Sequence, residues 1–346
     1  MSLRLLLLGL LALPLQAHSV TIMAFNVENL FDATHDRGKN DETYLPLTEK
    51  TKPSHINKCN TIKVERWRQQ CLTWDWSASV VNRKLKVLGD TIKQVNQGLG
   101  PDIIALQEIE NIEILERLRT EQLAGLGYQP SVLLEGKDLR GIDVAFLSKF
   151  RVIDSAHHEI VFSKALRARV GDTRPILSAT FELPSGERLI GYSVHFPAPF
   201  HPTVMREHAY QTLNTLLASL PASQAVFAAG DFNTTSDEDR EHQMLARWVR
   251  PHWQVAHDLC DGCRGTNYYP PKKNWSFLDM VLWRSGAEWR LSKAFLANRL
   301  PAQISTYFTA EGTPNRFRLP EATGVSDHWP LVLEVKRQNE SADITE

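Results

Sequence analysis

Short apolar runs recur along this chain, and several end in one or two acidic, amide or imidazole side chains. Val20-Thr21-Ile22-Met23-Ala24-Phe25 leads into Asn26-Val27-Glu28, and Asp102-Ile103-Ile104-Ala105-Leu106 leads into Gln107-Glu108. Leu189-Ile190-Gly191-Tyr192-Ser193-Val194 ends at His195, and Ala225-Val226-Phe227-Ala228-Ala229 precedes Asp231-Phe232-Asn233. Near the other end, Ser326-Asp327-His328 stands at the mouth of the apolar run Trp329-Pro330-Leu331-Val332. Continuous apolar runs of this length read as strands buried on both faces. Further strands are expected at 132–134, 143–148, 151–162, 176–183, 276–283 and 289–295.

Helical periodicity appears between groups of strands. Val80, Leu85, Leu88, Ile92 and Val95 form one stripe behind Ser77, which reads as an N-cap, and Gly98 to Pro101 stop the helix. Other helices are expected over 112–124, over 203–219 after Pro202, and over 239–249. Residues 32–76 show no sustained period and read as a long loop insertion. Strands in runs with helices set between them suggest two packed sheets covered by helices.

The first 17 residues have the pattern of a signal peptide: Arg4, the apolar stretch Leu5 to Leu13, and a small-residue site at Leu15-Gln16-Ala17. That stretch is too short to span a bilayer. The expectation is export to the periplasm or beyond. Residues 18–338 then form a single domain, and 339–346 a polar tail. A single site fed by clusters from residue 26 to residue 328 requires one enclosing domain.

The formal net charge is −1, and losing Arg4, the one charged residue of the leader, takes it to −2. No global field steers such a chain onto a polyanion. Nucleic-acid binding would rest on a local patch, and the best is Lys50, Lys52, His55, Lys58, Lys63, Arg66 and Arg68 interleaved with Trp67, Trp74 and Trp76. A solvated insertion with a small tryptophan core explains the same residues. Cys59, Cys71, Cys260 and Cys263 are even in number, which favours disulfides in an exported chain. Three pairings exist, of which the local one, 59–71 with 260–263, is the expectation; four-thiolate zinc is the rival.

The ordered clusters resemble the endonuclease/exonuclease/phosphatase superfamily, the deoxyribonuclease I-like fold. The resemblance spans about residues 20–336 and rests on Asn26-Val27-Glu28, Gln107-Glu108, Gly141-Ile142-Asp143, Val194-His195-Phe196, Asp231-Phe232-Asn233, Phe277-Leu278-Asp279 and Ser326-Asp327-His328. It implies a four-layer α/β sandwich of two mainly antiparallel sheets, with the site at one edge. It further implies Mg²⁺ or Mn²⁺ on Glu108, with Asn26, Glu28 and Asp327 in or near its shell, and Ca²⁺ as an assisting ion. By the same resemblance, Asp231 activates water, Asn233 grips a phosphate oxygen, His328 stabilises charge with Asp279 holding its ring, and His195 serves the leaving oxygen or phosphate. Arg140, Asp143 and Arg206 are the substrate-binding candidates.

The chemistry fits independently, since a hard cation needs only one or two carboxylates and a phosphodiester needs in-line water and charge neutralisation. The expected activity is an exported metal-dependent nuclease acting on DNA and/or RNA. The alternatives are a phosphoesterase on a sphingomyelin-type lipid or inositol phosphate, and a non-catalytic binding module on the same fold. No protein partner, no stable membrane association and a monomer are expected.

Overall fold

The computed structural model describes residues 19–167, 173–284, 288–298 and 304–338. The expected signal peptide and polar tail lie outside the described residues. In chain order the first strands are β1 (Ser19–Leu30), β2 (Ile103–Ile109), β3 (Val132–Leu133), β4 (Asp143–Ser148), β5 (Arg151–His158), β6 (Ile176–Glu182) and β7 (Arg188–His195). They are followed by β8 (Val226–Asp231), β9 (Gln254–Val255), β10 (Asn267–Tyr269), β11 (Asn274–Ser276), β12 (Asp279–Arg284), β13 (Trp289–Leu296) and β14 (Leu331–Arg337).

Twelve of these strands build two six-stranded sheets, ordered β13-β14-β1-β2-β4-β3 and β5-β6-β7-β8-β12-β9. Each sheet has one parallel pair at its centre, β1 with β2 and β7 with β8, and is otherwise antiparallel. The two sheets are thus mainly antiparallel, as expected, each with one parallel pair, and the layered sandwich holds.

Strand periodicity explains the layers. On β1, Ile22 and Ala24 face the second sheet while Met23, Phe25 and Val27 face the outer helices. On β8, Phe227 and Ala229 fill the space between the sheets, and Val226 and Ala228 face outward. Both faces of the central strands are therefore buried, and this is why those segments read as continuous apolar runs. The outer layers are α4 (Ala78–Ile92), whose Val81, Leu85, Leu88 and Ile92 cover the first sheet, and α7 (Thr203–Ala218), whose Ala209, Tyr210, Leu213 and Leu217 cover the second.

The 32–76 insertion is not a loop. It contains a single turn at Glu42–Tyr44 and three short helices, α1 (Leu47–Lys50), α2 (Pro53–Asn60) and α3 (Glu65–Thr73). These helices are too short to show an apolar period and too short to hold in isolation. Cys59–Cys71 joins α2 to α3. Trp76 anchors the far end, donating from Nε1 to the Phe31 carbonyl at 3.1 Å and packing edge-on against Tyr44 and Phe317. Cys260 and Cys263 form the second disulfide, so both local pairings are present.

Elsewhere the boundaries shift. The helix expected over 112–124 is α5 (Ile112–Arg117) followed by a wider turn to Gln122. α6 (Lys164–Arg167) follows β5. The helix expected over 239–249 begins earlier as α8 (Ser236–His242) and breaks at Gln243, whose φ of 53° is left-handed. The strand expected over 276–283 divides at Phe277-Leu278 into β11 and β12, and β10 pairs with β11 as a small hairpin. α9 (Ile304–Tyr307) completes the set. No described helix is long and apolar enough to cross a membrane.

Candidate active site

Strand register brings the chemistry of the second sheet to one edge. His195 at the end of β7 lies level with Asp231 on β8, and Asp231 lies level with Asp279 at the start of β12. Three titratable side chains thus stand on adjacent strands. Gly230 allows this closeness: its φ is 142°, and a Cβ there would meet the Val194 carbonyl oxygen at 2.1 Å. Gly230→Ala is expected to cost about 3 kcal/mol, from overpacking and backbone strain together. Urea unfolding would measure it.

The first sheet meets this edge through broken regularity. Asn26 on β1 is level with Gln107 on β2, and beyond that pair the register slips on both strands. Glu28, Asn29 and Glu108 adopt left-handed φ values of 54°, 60° and 66°. Such residues cost free energy unless their surroundings hold them, and bulges of this kind re-aim side chains. Here the result is convergence. Asn26 Nδ2 donates to Glu108 Oε1 at 3.3 Å and to Asp231 Oδ2 at 3.1 Å, linking one carboxylate from each sheet. The Asn29 amide donates to Glu108 Oε2 at 3.1 Å. His195 Nε2 lies 3.6 Å from Asp231 Oδ2 and 4.0 Å from Glu108 Oε1.

The two histidines are driven in opposite directions. Burial pushes His195 well below its usual pKa, and the positive charges of Arg174, Arg140 and His328 push the same way. Burial works equally against a charged His328. There, however, Asp279 accepts a 2.6 Å hydrogen bond from Nδ1, and Asp279, Asp327 and Asp231 together hold the ring well above its usual pKa. A neutral imidazole and an imidazolium therefore face one carboxylate, Asp231. Burial, with Asp279 adding to it, raises Asp231 to about 7 despite the opposing charge of His328.

Not every expected residue arrives in its expected state. Asn26 reaches the centre as a donor, because its oxygen accepts the Glu28 amide at 3.0 Å. Asn233 donates from Nδ2 to the Phe196 carbonyl at 2.9 Å and from its amide to Asp231 Oδ1 at 2.8 Å, so it braces the Asp231 turn. Glu28 does not turn toward Glu108. It binds Arg316 Nε at 2.5 Å and the amides of Phe317 and Asp327 at 3.0 and 3.1 Å, tying the 309–327 segment to the end of β1. Burial and the nearby Asp327 raise Glu28 to about 7, with Arg316 and Lys84 opposing. Asp327 remains more open, 2.9 Å from Arg316 Nη2 and 3.9 Å from His328 Nε2.

Among the substrate candidates, Arg140 lies at the rim. It is half exposed, bonds Asn29 Oδ1 at 2.7 Å and stands 3.8 Å from Glu108. Asp143 is buried behind that rim, accepting the Gly136 amide at 3.0 Å. Arg206 is outside the cluster altogether. It is buried in an ion pair with Glu238, bonded through Nε at 2.8 Å, and it donates to the carbonyls of Pro197, Ala198 and His201. The sequence shows Arg206 on a helix after His195 but not Glu238 beneath it. Arg206→Ala is expected to destabilise the fold by about 3–5 kcal/mol, because it strands a buried carboxylate. Thermal unfolding would register that, while KM for substrate would stay unchanged in the folded fraction.

Two residues of the site were missed. Arg316 belongs to a segment without periodicity and gives no signal. Lys84 did give one: it interrupts the apolar stripe of α4 between Val80 and Leu88. It is fully buried, donates to the Val325 carbonyl at 2.7 Å, and is lowered by burial to about 8.

The carboxylates at this edge offer oxygen donors, with the imidazoles of His195 and His328 beside them. Glu108 and Asp231 are carboxylates joined through one asparagine, and Asp327 lies beyond His328. A few carboxylate oxygens match a hard divalent cation that keeps several of its waters. Glu108 is the residue best placed to hold one.

Two stacked mixed sheets thus carry acids, amides and histidines gathered at one edge. Residues 81–328 match the Endonuclease/Exonuclease/phosphatase family, and the chain belongs to that family, whose members are generally metal-dependent phosphoester hydrolases. An endonuclease/exonuclease/phosphatase family protein from Bacteroides thetaiotaomicron has TM-score 0.56 and 15% identity, covering 93% of this chain and 98% of its own. Its counterpart from Bacteroides vulgatus has TM-score 0.56 and 13% identity, covering 93% and 100%. Truncated Caenorhabditis elegans TDP2 has TM-score 0.52 and 15% identity, covering 92% and 97%. At these identities the likeness is one of fold. No curated protein sequence matches the chain.

Proposed function

We propose that this chain is an exported phosphodiesterase that uses Mg²⁺ or Mn²⁺ and acts on nucleic acid. The observation that carries the reading is the strand register that sets His195, Asp231 and Asp279 side by side, with His328 bonded to Asp279 and Asn26 joining Asp231 to Glu108. In this reading Glu108 holds the metal, which when bound supplies Lewis-acid stabilisation of the phosphate charge. Asp231 orients the attacking water and takes its proton. His328, positioned by Asp279, meets the negative charge that develops on phosphorus-bound oxygens. His195 turns Nε2 toward the same space and serves the departing oxygen.

Nucleic acid is favoured by the rim. Arg140 and Arg316 are both half exposed, Arg140 lying 3.8 Å from Glu108 and Arg316 pairing with Glu28 and Asp327. A polyanion offers further phosphates to such charges, and Arg suits phosphate geometry. The insertion adds Lys63, Arg66 and Trp67 as exposed side chains, whereas Lys50 is buried, Lys58 leans on Glu42 at 3.8 Å, and Arg68 pairs with Glu65. Neutralising Lys58, Lys63, Arg66 and Arg68 is expected to lower the log–log salt slope of polynucleotide binding by roughly 0.7–0.9 per lost phosphate contact. Hydrolysis of a small chromogenic phosphodiester should be unaffected. An unchanged slope would remove the insertion from the substrate path.

One observation favours a lipid phosphodiester instead. The β10–β11 hairpin is tethered to the site through Asn267, which bridges to His328, and its tip exposes Tyr269, Pro270 and Pro271. Faster hydrolysis of a sphingomyelin-type lipid than of DNA or RNA would decide for that reading.

A further inference from the structure

The helical insertion carries a cluster that the phosphodiesterase chemistry does not use. His55 and Cys59 lie on α2 and Cys71 on α3. A spacing of four residues puts His55 and Cys59 on one helix face, one turn apart. All three are buried. His55 Nε2 lies 3.1 Å from Cys59 Sγ and 3.1 Å from the Cys71 carbonyl oxygen. One ligand atom from each of the three falls within 4.8 Å of the others.

We propose that in the thiol form of this chain, before Cys59 and Cys71 join, His55, Cys59 and Cys71 bind one soft or borderline metal ion, with Zn²⁺ as the fitting ion. The donor chemistry selects it. Two thiolates and an imidazole suit Zn²⁺ or Cu⁺, not the hard ion expected at Glu108. The geometry admits it as well. Zn–S bonds of about 2.3 Å and Zn–N bonds of about 2.0 Å place tetrahedral ligands roughly 3.5–3.8 Å apart. The sulfurs need only separate by side-chain rotation, since their Cα atoms are 5.7 Å apart. Charge balance favours the buried position, because two thiolates and Zn²⁺ sum to zero, whereas an uncompensated buried charge is costly.

Metal and disulfide are alternative clamps on the same two helices. In the thiol form, Zn²⁺ displaces two protons and bridges the sulfurs. Oxidation of the two thiols to the disulfide, by a disulfide-exchange partner that leaves as its dithiol, expels the ion. The insertion is thus held together on either side of oxidation.

The test uses the full chain with Cys260→Ser and Cys263→Ser, which removes the other thiols. A phosphine cleaves the remaining disulfide, becoming its oxide with oxygen from water and leaving two thiols. Titration with Co²⁺ should then give a thiolate-to-cobalt charge-transfer band that saturates at one equivalent. An oxygen-ligated Co²⁺ at Glu108 gives no such band. Zn²⁺ should displace Co²⁺, and X-ray absorption of the Zn²⁺ form should show two sulfurs and at least one nitrogen. His55→Ala should weaken Zn²⁺ binding by roughly 100-fold, given that losing even a ligand's hydrogen-bond partner costs roughly 10–100-fold. If reduction melts helical signal, Zn²⁺ should restore it. Absence of the charge-transfer band, or affinity unchanged by His55→Ala, would overturn the proposal. So would a Zn²⁺ shell with only oxygen and nitrogen, or helical signal that Zn²⁺ fails to restore.

Discussion

Glu108→Gln is expected to lower kcat/KM by on the order of 10³-fold and to abolish saturable activation by Mg²⁺. The substitution keeps the size and shape of the side chain but removes its charge. Glu108 accepts from Asn26 Nδ2 and from the Asn29 amide, so both its oxygens already face donors. A glutamine would present an NH₂ group to one of those donors and no anion to a cation. The left-handed backbone at residue 108 is set by the bulge, not by the carboxylate, and the fold should persist. Metal titrations of initial rate, with circular dichroism as the control, would check this. Retention of a tenth of the activity with an unchanged metal dependence would take Glu108 out of the metal site.

Asp279→Asn is expected to lower kcat by on the order of 10²-fold, as removals of acid–base partners do, and to narrow the pH profile. The sign follows from the two groups. His328 has a folded pKa above its unfolded value, so the stability it adds is complete below about 6.5 and is lost as pH rises through the higher folded value. The same ionisation sets the alkaline limb of activity, because only the imidazolium opposes the phosphate charge. Asp231 must be ionised to act, so activity falls as pH drops through about 7. Asparagine cannot stabilise an imidazolium, and the alkaline limb therefore moves down toward the acid one. The wild type should show a broad bell and the variant a low, narrow one. A His328 that merely filled space would lose rate without moving either limb. The conservative Asp279→Glu should restore part of the alkaline limb.

Much of this site was legible because it lies at strand ends. The apolar runs before Glu108, His195 and Asp231 mark buried strands, and register does the rest by setting His195, Asp231 and Asp279 side by side. Illegible were the residues whose partners are remote in sequence. Glu28 appears as a third carboxylate near Asn26, yet its partner Arg316 lies 288 residues away and draws it off the metal side. Arg206 fails for the same reason, because Glu238 satisfies it within the core. The insertion was misread for a different cause: its helices are shorter than the window in which a period shows, and a disulfide and one tryptophan hold them. The left-handed trio at 28, 29 and 108 carries no glycine to announce it, and it is the feature that turns two strands toward a common centre.

Metal-dependent hydrolysis of a phosphodiester at this edge is the proposed activity. The measurement closest to it is the initial rate of the purified chain on supercoiled plasmid, linear duplex DNA, single-stranded RNA and a sphingomyelin-type lipid, each in Mg²⁺ and each in EDTA. Cleavage of at least one nucleic acid in Mg²⁺ is expected, with its complete loss in EDTA and its recovery when Mg²⁺ is restored in excess. Undiminished cleavage in EDTA, or no hydrolysis of any of the four in either Mg²⁺ or Mn²⁺, would contradict it.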